Sequence, residues 1–189
     1  MIVYFYISFF FFPYICNMIL RAKGIIEFSP EDITNKHKEQ SSWKHVALIR
    51  TNCDIDRYYA WFLKKRFNLV LNKNLRGTHI TFISDKMDKK IFDDAAKMFN
   101  GREIEFLYDT EPRSNGEHWW LRAWSRDAEN IRMSMGLDKD PYYSFHITIG
   151  HANEKVIEFS EYITRQCKRF ELISNSTRIS TDEAFRQVS

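Results

Sequence analysis

Hydrophobic residues recur at two different spacings along the chain. Side chains alternate between the two faces of a strand, whereas one face of a helix takes every third or fourth residue. The alternating spacing predicts strands at 24–28, 43–51, 76–84, 103–109, 118–124, 142–151 and 170–174. The helical spacing predicts helices at 55–67, 86–99, 126–135 and 154–167.

Residues that favour helix ends and turns separate these segments. Asp54 and Ser125 stand where an N-cap is expected, and Gly101 and Gly136 stand just past the ends of two helices. The polar stretches 29–42, 111–117 and 175–189 are expected to form a loop, a turn and an irregular tail. Strands and helices alternate without a Pro/Gly-rich linker, so the pattern predicts one layered α/β or α+β domain.

The N-terminal segment is a separate problem. Residues 1–20 carry no charge and contain eight Phe or Tyr residues. A segment of this kind could just span a bilayer, with Arg21 and Lys23 at its cytoplasmic end. The alternative, which we favour, is an upstream leader mistaken for coding sequence, with Met18 as the natural start. We therefore take 18–189 as the domain and leave 1–17 out of the fold.

Composition and charge narrow the functional classes. The 189 residues are 44% hydrophobic and 28% charged, which excludes a disordered chain. A net charge of +3 argues against coating of long nucleic acid, but a small anionic ligand in a local basic pocket remains open. Three widely spaced cysteines predict neither a disulfide framework nor a zinc site, and they favour a reducing compartment.

One short motif occurs twice, each time within a predicted strand. The segments THITFI and FHITIG share the sequence His-Ile-Thr. Because residues i and i+2 of a strand point the same way, His79 and Thr81 share a face, and so do His146 and Thr148. The isoleucine between them faces the opposite side, where a core would lie. The repeat suggests two related lobes that bring the four polar side chains around one small volume.

Two imidazoles beside two hydroxyls suit phosphodiester transfer without a metal or another cofactor. One imidazole takes a proton from the attacking oxygen while the other protonates the leaving oxygen. The hydroxyls can donate to the phosphate oxygens, where negative charge grows in the transition state. Zinc binding is the weaker alternative, because His146 and His151 are five residues apart and a third ligand is missing.

Candidates for holding a nucleotide lie near these strands. Trp120, Arg122 and Trp124 share one face of a predicted strand and combine two stacking surfaces with a guanidinium fork. The alternative is that the tryptophans fill the core. Tyr142, which leads into the second motif, and Lys44 are further candidates for substrate binding.

The two motifs resemble the signature of the two-histidine phosphoesterase superfamily. Longer segments, SSWKHVALIRTNCDIDRYYAW, GTHITF, HWWLRAW and YYSFHITIGHAN, resemble its phage anti-CBASS phosphodiesterases, CBASS being a bacterial cyclic-oligonucleotide-based anti-phage signalling system. The resemblance covers roughly residues 22–185. It implies an α+β fold of two related lobes, each with a His-x-Thr strand facing a central cleft.

The resemblance also implies an activity. The enzyme would degrade cyclic di- and trinucleotide messengers such as 3′,3′-cyclic GMP–AMP in the cytoplasm of the infected host. His79 would act as the base and His146 as the acid, or the reverse, while Thr81 and Thr148 hold the phosphate. No stable protein partner is implied, and a membrane partner is expected only if residues 1–20 are genuine.

Three other functions remain open at this stage. An RNA-processing relative would open 2′,3′-cyclic phosphate ends or cleave 2′,5′ linkages, which the modest net charge mildly disfavours. A non-catalytic sponge would only bind cyclic nucleotides, which two intact motifs disfavour because binding needs no proton-transfer pair. A membrane-tethered protein would require the leader to be translated.

Overall fold

The computed structural model describes residues 18–31, 45–51, 53–74, 76–152 and 180–188, which form eight strands and four helices. The strands are β1 (Ile19–Phe28), β2 (Ala47–Arg50), β3 (Leu71–Lys73), β4 (His79–Ile83), β5 (Glu103–Asp109), β6 (Arg113–Ser114), β7 (His118–Trp124) and β8 (His146–Ala152). The helices are α1 (Ile55–Phe67), α2 (Lys89–Phe99), α3 (Arg126–Ser134) and α4 (Thr181–Gln187). The helix expected at 154–167 and the strand expected at 170–174 lie outside the described residues, as does the leader.

All the strands belong to one antiparallel sheet in the order β3-β8-β4-β2-β1-β5-β7-β6. An additional pairing between β7 and β8 closes six of them into a barrel. The antiparallel pairing confirms an α+β fold, since the α/β alternative requires a parallel sheet. No helix among the described residues is both long and apolar enough to cross a membrane.

Strand pairing is dense within two groups and sparse between them. In β4-β2-β1-β5, β1 alone pairs over 19–25 with β5 and over 25–28 with β2. In β3-β8-β7-β6, β8 pairs over 146–151 with β7 and over 150–152 with β3. The groups meet through one residue pair between β4 and β8 and two between β5 and β7. The eight-stranded sheet therefore consists of two four-stranded groups joined at two narrow junctions.

One face of the strands is apolar and carries three of the helices. Ile26, Ile49, Ile80 and Ile147 are buried there together with side chains from α1, α2 and α3. The opposite face, which we call the inner face, carries the polar side chains of the two motifs. At Leu107 and Trp124 this face is covered by α4.

Local signals explain most of the element ends. The helix expected at 55–67 is α1 with the same bounds, and the Ser125 hydroxyl caps α3 by accepting from the Ala128 N–H. Asp54 occupies the N-cap position of α1, but its carboxylate pairs with Arg57 at 3.3 Å and caps no backbone N–H. Two short strands were not foreseen: β3 has three residues and β6 two, too few for an alternating pattern.

The expectation of an irregular tail is wrong where the tail is described. Residues 181–187 form α4, whose N-cap Ser180 accepts a hydrogen bond from the Glu183 N–H. The Thr181 hydroxyl bonds to the buried Glu129 carboxylate of α3, and Arg126 pairs with Asp182 at 3.3 Å. Polar composition concealed this helix because its position depends on contacts with a distant part of the chain.

Candidate active site

The structure brings the two His-x-Thr motifs together on neighbouring strands. Ile80 of β4 pairs with Ile147 of β8 in antiparallel register, and both isoleucines are buried in the core. The same register places His79 opposite Thr148 and Thr81 opposite His146. Side chains alternate across a strand, so these four residues share the opposite, inner face. Each histidine therefore lies beside the hydroxyl of the other motif.

Both imidazoles are held in the same way. Nδ1 of His79 lies 2.9 Å from the Gly77 carbonyl oxygen, and Nδ1 of His146 lies 2.8 Å from the Ser144 carbonyl oxygen. A carbonyl oxygen only accepts, so Nδ1 carries the proton in each ring and Nε2 carries the lone pair when the ring is neutral. In both cases the carbonyl belongs to the residue two positions before the histidine. Gly77 adopts a φ of +66°, a conformation that glycine tolerates best, immediately before the first motif.

The two histidines differ in exposure. His79 is 9% exposed, whereas His146 is only partly buried, as are Thr81 and Thr148. Burial penalises a charged ring more than a neutral one. Water therefore reaches the His146 ring more readily than the His79 ring.

Each motif histidine has an arginine as a cross-strand neighbour. Arg50 of β2 pairs with His79, and Arg122 of β7 pairs with His146. Two rows of cross-strand neighbours result: Arg50–His79–Thr148 on β2, β4 and β8, and Arg122–His146–Thr81 on β7, β8 and β4. An approximate two-fold operation that exchanges β4 with β8 relates the two rows. Arg122 was predicted from its spacing along β7, whereas Arg50 was not predicted. Because side chains alternate along β2, Arg50 lies on the other face of the strand from the buried Ile49. Only the strand order shows that its cross-strand neighbour is His79.

The Arg50 guanidinium contacts both Glu27 and Arg76. Its Nε donates to the Glu27 carboxylate at 2.6 Å, and one terminal nitrogen donates to the Arg76 carbonyl at 2.6 Å. Arg76 directly precedes Gly77, whose carbonyl orients His79. Arg50 therefore fixes the turn before β4 and places a cation next to the first motif.

The two tryptophans proposed for stacking have different surroundings. Trp120 pairs with Thr148 and is partly exposed on the face of the histidines. Trp124 is only 6% exposed and packs with Leu107 and with Ala184 and Phe185 of α4. The Trp124 ring is thus used in packing, as in the alternative that the tryptophans are core residues, although the helix α4 that covers it was not foreseen.

Two candidates for substrate binding remain, Tyr142 and Lys44. Tyr142 is 93% exposed and meets Tyr143 edge to face, with ring centroids 4.8 Å apart, just ahead of β8. An exposed aromatic pair at this point can receive a base by stacking. Lys44 lies outside the described residues.

A second pair of histidines lies further along β7 and β8. His118 and His151 are cross-strand neighbours, with their Nδ1 atoms 2.5 Å apart. Such a contact requires at least one Nδ1 to be unprotonated. Burial, and then the neighbouring His118, lowers the pKa of His151, while Glu117 acts in the opposite direction. No group of three metal-ligating side chains occurs among the described residues.

Comparison of the chain with protein-family models, with curated proteins and with solved structures finds no match. The case for a function therefore depends on the residues and their geometry.

The backbone contacts predict an unusual tautomer for both motif histidines. At a pH where the rings are neutral, we expect His79 and His146 to carry their proton on Nδ1, because each Nδ1 faces a carbonyl oxygen. Nitrogen-15 NMR of the imidazole rings distinguishes the two nitrogens. A proton on Nε2 in both rings would contradict the arrangement described here.

The His118–His151 contact predicts a dependence of stability on pH. The lowered pKa of His151 means that the unfolded chain takes up this proton first, near pH 6.5. The contribution of His151 to stability is therefore complete above that pH and declines as the pH falls below it. Urea unfolding of the wild type and of His151→Asn, at about pH 7.5 and about pH 5.5, measures this change. The variant should lose less stability on acidification, and an equal loss would contradict the prediction.

Proposed function

We propose that this protein is a metal-independent phosphodiesterase of the two-histidine type that degrades cyclic di- and trinucleotide messengers. The observation that carries the proposal is the paired arrangement of the motifs on β4 and β8. Two histidines with the same backbone-fixed orientation each lie beside the threonine of the other motif. A purely structural role would not require this symmetry in both strand register and ring orientation.

In the first step, the Nε2 lone pair of His79 takes the proton of a ribose 2′-hydroxyl. The 2′-oxygen attacks the adjacent phosphorus, and the bond from phosphorus to the 5′-oxygen breaks. His146, protonated at both nitrogens, gives its Nε2 proton to that 5′-oxygen. The products are a 2′,3′-cyclic phosphate and a free 5′-hydroxyl, so a cyclic messenger becomes linear. Water then opens the cyclic phosphate by the reverse pair of proton transfers.

The exposure of the rings supports this assignment of roles. The base must be neutral before the reaction, which suits the more buried His79. His146 then takes the role of the acid. Thr81 and Thr148 are within the same rows and would donate to the non-bridging oxygens. Arg122, next to His146, would offset the charge that builds on the phosphate.

The division of the barrel supports a two-lobed enzyme spanning residues 18–189. Each four-stranded group contributes one motif, β4 to the first and β8 to the second, and the narrow junction between these strands brings the motifs together. The two groups would act as the two lobes, with the inner face between them as the cleft.

The aromatic side chains favour a nucleotide as the substrate. Trp120 lies beside Thr148, and Tyr142 and Tyr143 are exposed just ahead of His146. Each can stack on a base, at about 1–3 kcal/mol per base. We infer a small cyclic oligonucleotide in the cytoplasm of an infected bacterium, where its loss would counter CBASS defence. Long nucleic acid is not expected as a partner.

The experiment compares the wild-type protein with His79→Ala and His146→Ala in the presence of EDTA. The substrate is 3′,3′-cyclic GMP–AMP, and chromatography follows its conversion to linear products. Each variant should lose about 10²–10⁴-fold in turnover, because general acid–base catalysis contributes a factor of this size. His118→Ala is the matched control, since it removes an exposed histidine outside the two motifs, and it should keep wild-type turnover.

Two results would overturn the mechanism: full turnover in either motif variant, or a strict requirement for a metal. A substrate with 2′-deoxy sugars beside both phosphates should resist cleavage, because it lacks the proposed nucleophile. If the wild type leaves every cyclic dinucleotide intact but opens RNA 2′,3′-cyclic phosphate ends, the chemistry stands and the substrate class is wrong. Tight binding without turnover would indicate a sponge.

A further inference from the structure

We propose that Asn74 is a positioning residue that holds the two histidine motifs in register. The inference rests on the proposed function. Asn74 follows β3 directly and begins the turn that leads to β4 and His79. Its side-chain amide bonds to the backbone just before the first motif and to the backbone within the second motif.

The hydrogen-bond partners of the Asn74 amide fix its orientation. Nδ2 donates to the Gly77 carbonyl at 3.0 Å and to the Thr148 carbonyl at 3.3 Å. Oδ1 accepts from the Arg76 N–H at 3.2 Å. Carbonyl oxygens only accept and a backbone N–H only donates, so the opposite orientation of the amide would lose all three bonds.

The Gly77 contact connects Asn74 to the first motif. The same carbonyl oxygen accepts from Nδ1 of His79 at 2.9 Å, and its two lone pairs accommodate both donors. Asn74 therefore fixes the atom that sets the orientation of the His79 ring. The Arg76 contact holds the turn between them, which Arg50 also grips through the Arg76 carbonyl.

The Thr148 contact connects the same amide to the second motif. Thr148 lies two residues after His146 and opposite His79. On this edge of β8, pairing with β3 ends at Gly150, and pairing with β4 consists of Ile80 with Ile147. Asn74 bonds to β8 between these two points. It thus reinforces the junction where backbone pairing alone is weakest.

Loss of the two donated bonds should change catalysis rather than binding. Asn74 would not touch the substrate, but the relative position of His79 and His146 depends on it. A displacement of about 1 Å in a reacting pair can cost about 10²-fold in rate. We therefore expect kcat to fall about 10–100-fold, with KM changed by less than about threefold.

Two near-isosteric variants test this role. Asn74→Asp keeps an acceptor for the Arg76 N–H but loses both donated bonds, and Asn74→Leu loses them without adding a negative charge. Asn130→Ala, on the exposed side of α3, is the control for loss of an asparagine amide. Thermal unfolding establishes that each variant is folded at the assay temperature. Both Asn74 variants should show the fall in kcat, and a fall in Asp alone would assign the effect to charge and overturn the proposal.

Ring NMR gives a readout that does not depend on turnover. In both Asn74 variants the imidazole resonances of His79 and of His146 should shift, whereas Asn130→Ala should leave both unchanged. A shift at His79 alone, or at neither ring, would show that Asn74 does not couple the motifs. If the wild type cleaves no phosphodiester but both rings still shift, the coupling stands and the proposed function fails.

Discussion

The pairing of Ile80 with Ile147 is the contact on which the rest of the account depends. Both side chains are almost completely buried in one core with α1, α2 and α3. A slip of one residue would turn the isoleucines towards the inner face and the polar motifs into the core, which burial penalises strongly. The hydrophobic effect thus fixes the register, and the register places each histidine beside the threonine of the other motif. The proposed chemistry is a consequence of this packing.

The single residue pair between β4 and β8 leaves much of the alignment to the turn before β4. Asn74 and Arg50 hold that turn by donating to the Gly77 and Arg76 carbonyls, and the Gly77 carbonyl also orients His79. A short junction supported by side chains brings the two four-stranded groups together without merging them. Near the two motifs the inner face carries polar side chains, whereas Leu107 and Trp124 on the same face pack against α4.

The sequence predicts the parts of this site that depend on local periodicity. The His-Ile-Thr repeats show which residues share a face, because alternation is a property of a single strand. Strand order is a property of the whole chain, so the sequence pattern did not reveal Arg50 as the neighbour of His79 or the contact of Asn74 with β8. Trp124 had the right spacing for a stacking surface, but α4 covers it. The helix that covers Trp124 comprises residues 181–187, which the polar composition had predicted to be part of an irregular tail.

The most direct test of the two-histidine mechanism replaces the leaving 5′-oxygen of the substrate with sulfur. A thiolate departs without protonation, so the general acid is no longer needed, whereas the general base still is. Turnover by His146→Ala should recover to near the wild-type rate on this cyclic phosphorothiolate, while His79→Ala should stay slow. Recovery in His79→Ala instead would exchange the two roles and keep the pair. Equal slowness of both variants on the oxygen and sulfur substrates would contradict acid–base catalysis by these histidines.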